Sequence, residues 1–358
     1  MSGITSGVPA APASSENKSS GTSPIAALAD AFARAVAILL NPFDPKRWIK
    51  LSAVCVFLGG GASWAAVHWT LTALPTETGV GPTWLQVRLF LASHPLASLT
   101  TTLLAVALGI GLIYLRAMSR FILIASIVRG EVELRRAWQE VRPLAGTYFR
   151  WLLAALLLMG LALGSGILIA LPLLQGGEPR SAFAAIMLAT LLALQVSLSV
   201  IMALAIALTD DLVNPIVYAE RLSLPAAWRR FVGATRGDAG ALLLYIFLRF
   251  VVSVAAGVAG ILLLFPILVT VFSGAVIVAA LVVVSLHLVG LDWIWTPGTT
   301  LLAAAAVLLL VGLLLAILGA AGMPLQVFLQ SFGIRFVAPR VPAVGALWEQ
   351  QESGSQEE

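Results

Sequence analysis

Apolar and polar residues fall along this chain in long blocks, not in short alternations. Apolar runs of membrane-spanning length are separated by short charged loops. Crossing roughly 30 Å of hydrocarbon takes about 20 apolar residues. The pattern predicts such segments at 49–74, 95–118, 151–174, 183–209 and 299–322. Between Asp238 and Asp292 the only formal charge is Arg249. As a single helix that run would extend about 75 Å, too far for one crossing. Pro266 sits in its middle, and an interior proline kinks or ends a helix. Residues 241–290 are therefore expected to hold one full span plus a re-entrant or strongly kinked half. The expected fold is all-α, a polytopic transmembrane helix bundle with six crossings. Seven crossings, with two in 241–290, is the alternative.

The polar blocks carry a weaker pattern. One loop reads Ile127-Val128, Leu134, Ala137-Trp138, and another reads Ile216-Val217, Leu224, Ala227-Trp228. Both contain Leu-x-x-Ala-Trp ahead of a membrane segment. At helical spacing, Leu134, Trp138 and Val141 share a face, as do Leu224, Trp228, Phe231 and Val232. Arg135, Arg136, Arg229 and Arg230 turn away from those faces. Ser223 is placed to cap the second helix, and Pro225 suits its first turn. Residues 25–40 show a similar stripe in Ile25, Leu28, Phe32, Val36 and Leu40. The repeating unit predicted is an interfacial helix followed by a transmembrane hairpin.

Composition agrees with this class. The chain of 358 residues is 60% hydrophobic and 11% charged, against roughly 25% charged in soluble domains. Of 21 Lys and Arg, only Arg88 and Arg180 fall in the loops assigned to the outer side. The positive-inside bias therefore places the other loops and both termini in the cytoplasm. Trp48, Trp138, Trp151 and Trp228 mark one interface, and Trp69, Trp84, Trp293 and Trp295 the other. Residues 1–24 are expected to be a disordered cytoplasmic tail, 25–336 the transmembrane domain and 337–358 a second cytoplasmic tail. The net charge of +4 points to anionic lipid headgroups rather than nucleic acid, because the basic residues flank membrane segments. The lone Cys55 excludes an intrachain disulfide.

Few positions carry chemistry. Asp210 and Asp211 lie at the cytoplasmic end of the fourth segment. They could bind a cation or proton, but capping a helix or sitting in headgroup water near arginines is the simpler expectation. Asn214-Pro215 reads as the turn where the chain leaves the span. Arg249 is an intramembrane ion, a functional candidate by default. It stands about 12 Å along its segment, so snorkelling to the cytoplasmic headgroups is expected ahead of pairing with Asp210 or Asp211. His68, His94 and His287 map to the outer half without a ligand spacing. Gln195 is expected to hydrogen-bond between helices, and Gly160-x-x-x-Gly164 and Ala256-x-x-x-Gly260 to permit close helix approach. Gly59-Gly60-Gly61 lies inside a span and is no phosphate-binding loop.

The stretch Asp210-Asp211-Leu212-Val213-Asn214-Pro215-Ile216-Val217-Tyr218, with Leu222-Ser223 and Ala227-Trp228-Arg229, resembles a recurring segment of uncharacterised bacterial polytopic membrane proteins. Pro42-Phe43 before Trp48, and Met323-Pro324 before Phe328, are similar to other landmarks of that family. The layout more distantly resembles the membrane domain of some glycerophosphodiester phosphodiesterases, without their catalytic domain. The resemblance implies a fold over 25–336 and no activity.

The expectation for function is a non-catalytic membrane scaffold or accessory subunit of the bacterial inner membrane. It would need no cofactor and would dock anionic lipid and a partner protein. Arg135, Arg136, Arg229, Arg230, Trp138 and Trp228 are the candidate docking residues, and Arg249, Asp210 and Asp211 the candidate functional ones. A transporter or lipid-handling protein is the alternative. An enzyme is disfavoured, because the spans show no facing acids, histidine or nucleophile.

Overall fold

The computed structural model describes residues 23–41, 43–58, 95–175, 182–288 and 297–354. Every regular element among them is helical. Helix α1 spans Pro24–Leu40, with Ser23 as N-cap accepting from the Ala26 amide at 3.4 Å and Pro24 in the first turn. Helix α2 spans Pro45–Leu58. Helix α3, Pro95–Arg129, stops at Gly130, whose φ of 71° is the left-handed C-terminal geometry that glycine adopts freely. Helix α4 is Leu134–Gln175 and α5 is Ala182–Leu208. A π-helical turn, Thr209–Val213, joins α5 to α6, Asn214–Glu220. Then follow α7, Leu224–Thr235, α8, Ala239–Leu288, α9, Pro297–Val337, and α10, Pro342–Gly354.

Five of the described helices are long and apolar enough to cross a membrane. The first expected segment is described only as far as Leu58. Residues 241–290 depart from expectation. Helix α8 runs unbroken through Pro266 for 50 residues, with no re-entrant half. The physical reason is a lack of alternatives. Breaking the helix would leave backbone N–H and C=O groups in an apolar run that supplies no other partners. The lost hydrogen bond at Pro266 is the smaller cost. Tyr245, near the start of α8, stacks on Phe332, near the end of α9, with ring centroids 4.5 Å apart. The two helices thus leave and return to the same end of the molecule.

The core lies at that end. Phe121 of α3, Tyr148 of α4, Leu212 of the π turn, Tyr245 of α8, and Phe332 and Phe336 of α9 are fully buried together. Burial at roughly 25 cal/mol per Å² of apolar surface makes this cluster the main cohesive element. By contrast, the most apolar stretches of α5 and α8 bury none of their residues within the chain. Their side chains face outward, as lipid contact requires.

Three further expectations are corrected. The helix predicted at 134–141 is not a separate interfacial element but the first turns of α4. Helix α7 is separate, and Ser223 is its N-cap, though its side chain makes no capping bond. On α1 the buried face is Ala27, Ala31, Ala35, Ile38 and Leu39, while Ile25, Phe32, Val36 and Leu40 are exposed. The small residues let α1 approach α9 closely, which the larger stripe would prevent. Separately, helix α10 buries Val344 and Trp348 within the segment expected as the C-terminal tail.

A buried carboxylate pair clamped by three arginines

The π turn places Asp210 and Asp211 inside the core, at 3% and 1% exposure. Adjacent residues on a helix point about 100° apart, so the two carboxylates address different neighbours. Asp210 faces α3 and α4. Arg116 and Arg120, one helical turn apart on α3, donate to its Oδ2 at 3.3 and 2.9 Å. The Tyr148 hydroxyl of α4 donates to its Oδ1. Asp211 faces α8 and α9. Arg249 donates to its Oδ2, and the Tyr245 hydroxyl lies 3.5 Å from the same oxygen. Arg120 Nη1 stands 4.0 Å from Asp211 Oδ1 and donates to Gln330 Oε1 of α9 at 3.0 Å. Gly333 of α9 passes so close to the Asp211 carbonyl that an added Cβ would collide with it.

These contacts overturn the simpler expectations. The aspartates neither cap a helix nor sit in headgroup water. Arg249 pairs with Asp211 instead of extending alone to the interface. A buried carboxylate without a partner costs several kcal/mol, which outweighs the gain from hydrating a guanidinium. Asn214-Pro215 is not a turn. The helix continues through it, with Pro215 accommodated in the first turn of α6. The Asn214 amide is buried, and both its Oδ1 and Nδ2 lack a hydrogen-bond partner among the described residues.

The cluster's balance is three arginines against two aspartates. It fastens α3, α4, α8 and α9 to the π turn by charge-assisted bonds. Sequence reasoning found Arg249, Asp210 and Asp211 but missed Arg116, Arg120, Tyr148, Tyr245, Gln330 and Gly333. The available signal was spacing: Arg116 with Arg120, and Tyr245 with Arg249, each stand four residues apart on one helical face.

The candidate docking residues lie apart from this cluster. Arg135, Arg136, Arg229 and Arg230 are exposed. Arg136 reaches Glu133 at 4.0 Å and Arg230 reaches Glu220 at 3.4 Å, both across exposed surface. Trp228 is half-buried against Phe231. Trp138 is 38% exposed, its ring edge-on to Tyr114. Ala137 and Val141 occupy the buried side there, and Val232 of the α7 stripe is likewise exposed. Gln195 donates to the Ala162 carbonyl of α4, the interhelical bond expected. A Cβ at Gly160, Gly164 or Gly260 would meet nothing within 4 Å, so those small faces have no neighbour among the described residues. His68, His94 and the Gly59-Gly60-Gly61 run lie outside the described residues. Among the described residues no three His, Cys, Asp or Glu side chains converge.

No curated protein and no solved structure matches the chain. Residues 22–345, which include the whole carboxylate–arginine cluster and its helices, match the family of unknown function DUF7544, and the chain belongs to that family.

Proposed function

We propose that the protein is a non-catalytic scaffold or accessory subunit of the bacterial inner membrane. Its termini and basic loops lie in the cytoplasm. It binds anionic lipid headgroups, and a partner protein, through the exposed arginines of α4 and α7. The observation that carries this reading is the division of labour among cations. Arg116, Arg120 and Arg249 are spent internally on Asp210 and Asp211. Arg135, Arg142, Arg229 and Arg236 are exposed and make no ion pair with a described residue. Free surface cations beside a membrane attract anionic headgroups by about 1 kcal/mol each.

The test is purification of a variant with Arg135, Arg136, Arg229 and Arg230 all changed to Glu. Bound anionic phospholipid and any stoichiometric partner should fall several-fold, with the melting temperature nearly unchanged. Retention of both at parental levels would refute the docking face. Orientation is tested separately by a reporter fused after Gln351, which should be active only on the cytoplasmic side.

A second reading, transport, has one specific observation in its favour. The π turn holds buried charges beside an unpartnered Asn214 amide, and π turns are frequent at functional sites. Proton flux into proteoliposomes that disappears in Asp210→Asn would favour it over the scaffold.

A further inference from the structure

We infer that α1 is embedded in the bilayer, with its outward face lying directly against lipid acyl chains. From residue 25 to residue 40, every exposed position of α1 is Ile, Ala, Phe, Val or Leu. The large members are well exposed: Ile25 at 61%, Phe32 at 64% and Leu40 at 56%. Phe43 and Ile49, beyond the end of the helix, are exposed as well. A contiguous apolar patch of this kind marks an interaction surface, not a water-facing one.

The placement of the charges supports lipid as the occupant. Helix α1 has two charged residues, Asp30 and Arg34, and neither is on the outward face. Asp30 accepts from Arg335 of α9 at 2.9 Å. Arg34 and Arg335 both lie over the Trp348 ring of α10, at 5.6 and 5.7 Å. The charges lie on the flank that pairs with α9 and α10, where the Asp30 side chain is still 45% exposed. Phe32 touches Phe328 of α9, ring centroids 6.4 Å apart. This seats the stripe beside the last turns of α9's candidate membrane-crossing stretch, Leu308–Val337. With 17 residues, or about 25 Å, α1 falls short of the roughly 20 residues of a full crossing. It therefore lies in the membrane without crossing it.

The chain's one cysteine, Cys55, is buried, which makes site-directed spin labelling direct. Cysteines would be placed at Ala29 and Ala33, both exposed, and at Glu131, an exposed loop residue outside the proposed docking face, as an aqueous control, in Cys55→Ala protein. If Cys55→Ala unfolds, the buried Cys55 is retained and the unsubstituted protein serves as the background. After reconstitution into phosphatidylcholine–phosphatidylglycerol vesicles, nitroxides at 29 and 33 should collide several-fold more with oxygen than with a water-soluble nickel chelate. The label at 131 should show the reverse. Nickel accessibility at 29 and 33 equal to that at 131 would overturn the inference by placing the face in water. Exclusion of both reagents, with or without spin–spin broadening, would overturn it by showing that protein covers the face.

Discussion

Asp211 shows what a single buried charge demands of its surroundings. Its carboxylate is 1% exposed, and its closest cationic partner is Arg249. Removing one member of a buried ion pair typically costs about 3–5 kcal/mol, because the other charge is left uncompensated. Arg120 at 4.0 Å offers Asp211 some residual compensation. Arg249→Leu is therefore expected near the lower end of that range, read as a lowered melting temperature in detergent. Arg249→Leu combined with Asp211→Asn should melt above the single variant, because the orphaned charge is gone. If Arg249→Leu melts like the parent, the pair contributes nothing to folding. Gly333 is constrained by shape instead of charge. An added Cβ there would strike the Asp211 backbone, so Gly333→Ala is expected to cost at least the roughly 1–3 kcal/mol of overpacking. Gly164→Ala, where the added atom would meet nothing, should be neutral in the same melting series. Arg249 was legible in the sequence as a charge inside a span, with pairing to Asp210 or Asp211 as the lesser alternative, and the aspartates as charges at a span's cytoplasmic end. Their burial and the rest of the cluster were not, because Arg116, Arg120 and Gln330 come from helices far away in the chain, and no local rule brings them together.

At the scale of elements, the Leu-x-x-Ala-Trp repeat was legible but its structural equivalence was not. The same five-residue pattern opens a long membrane helix in one place and forms a free-standing 12-residue helix in the other. The difference lies downstream. Helix α7 is followed by Arg236-Gly237-Asp238 before α8 begins, whereas no glycine follows Trp138 until Gly146. Periodicity identified the helices correctly but misjudged their faces. On α1 an alanine seam wins the interior over a bulkier stripe, because α9 lies too near for large side chains. The tryptophans consequently differ. Trp228→Ala should cost on the order of 1–2 kcal/mol, being half-buried beside Phe231. Trp138→Ala should cost less than that, since its ring is 38% exposed. Thermal melts of the two variants in one detergent check the order. A Trp138 loss equal to or larger than the Trp228 loss would show that the exposed indole is covered by something outside the chain.

For the whole molecule, the all-helical class followed from block hydropathy alone, and the position of the core did not. Cohesion is concentrated at one end, where the carboxylate–arginine cluster and the stacked aromatics join the helices. The most apolar stretches of α5 and α8 bury none of their residues against the rest of the described protein. Helix α8 has a consequence for the surrounding lipid. Beyond Arg249 it continues for 39 residues without a charge, about 58 Å of apolar helix. A bilayer offers roughly 30 Å of hydrocarbon. Held straight, the helix fits only if it leans by roughly 60° from the membrane normal, well outside the usual spread of about 0–40°. The remaining adjustment falls on the lipids, which must thicken around it. The protein is thus matched to membranes of long acyl chains. In oriented bilayers of increasing chain length, the average helix inclination measured by polarised infrared dichroism should decrease. An inclination indifferent to chain length would mean that α8 does not respond to bilayer thickness.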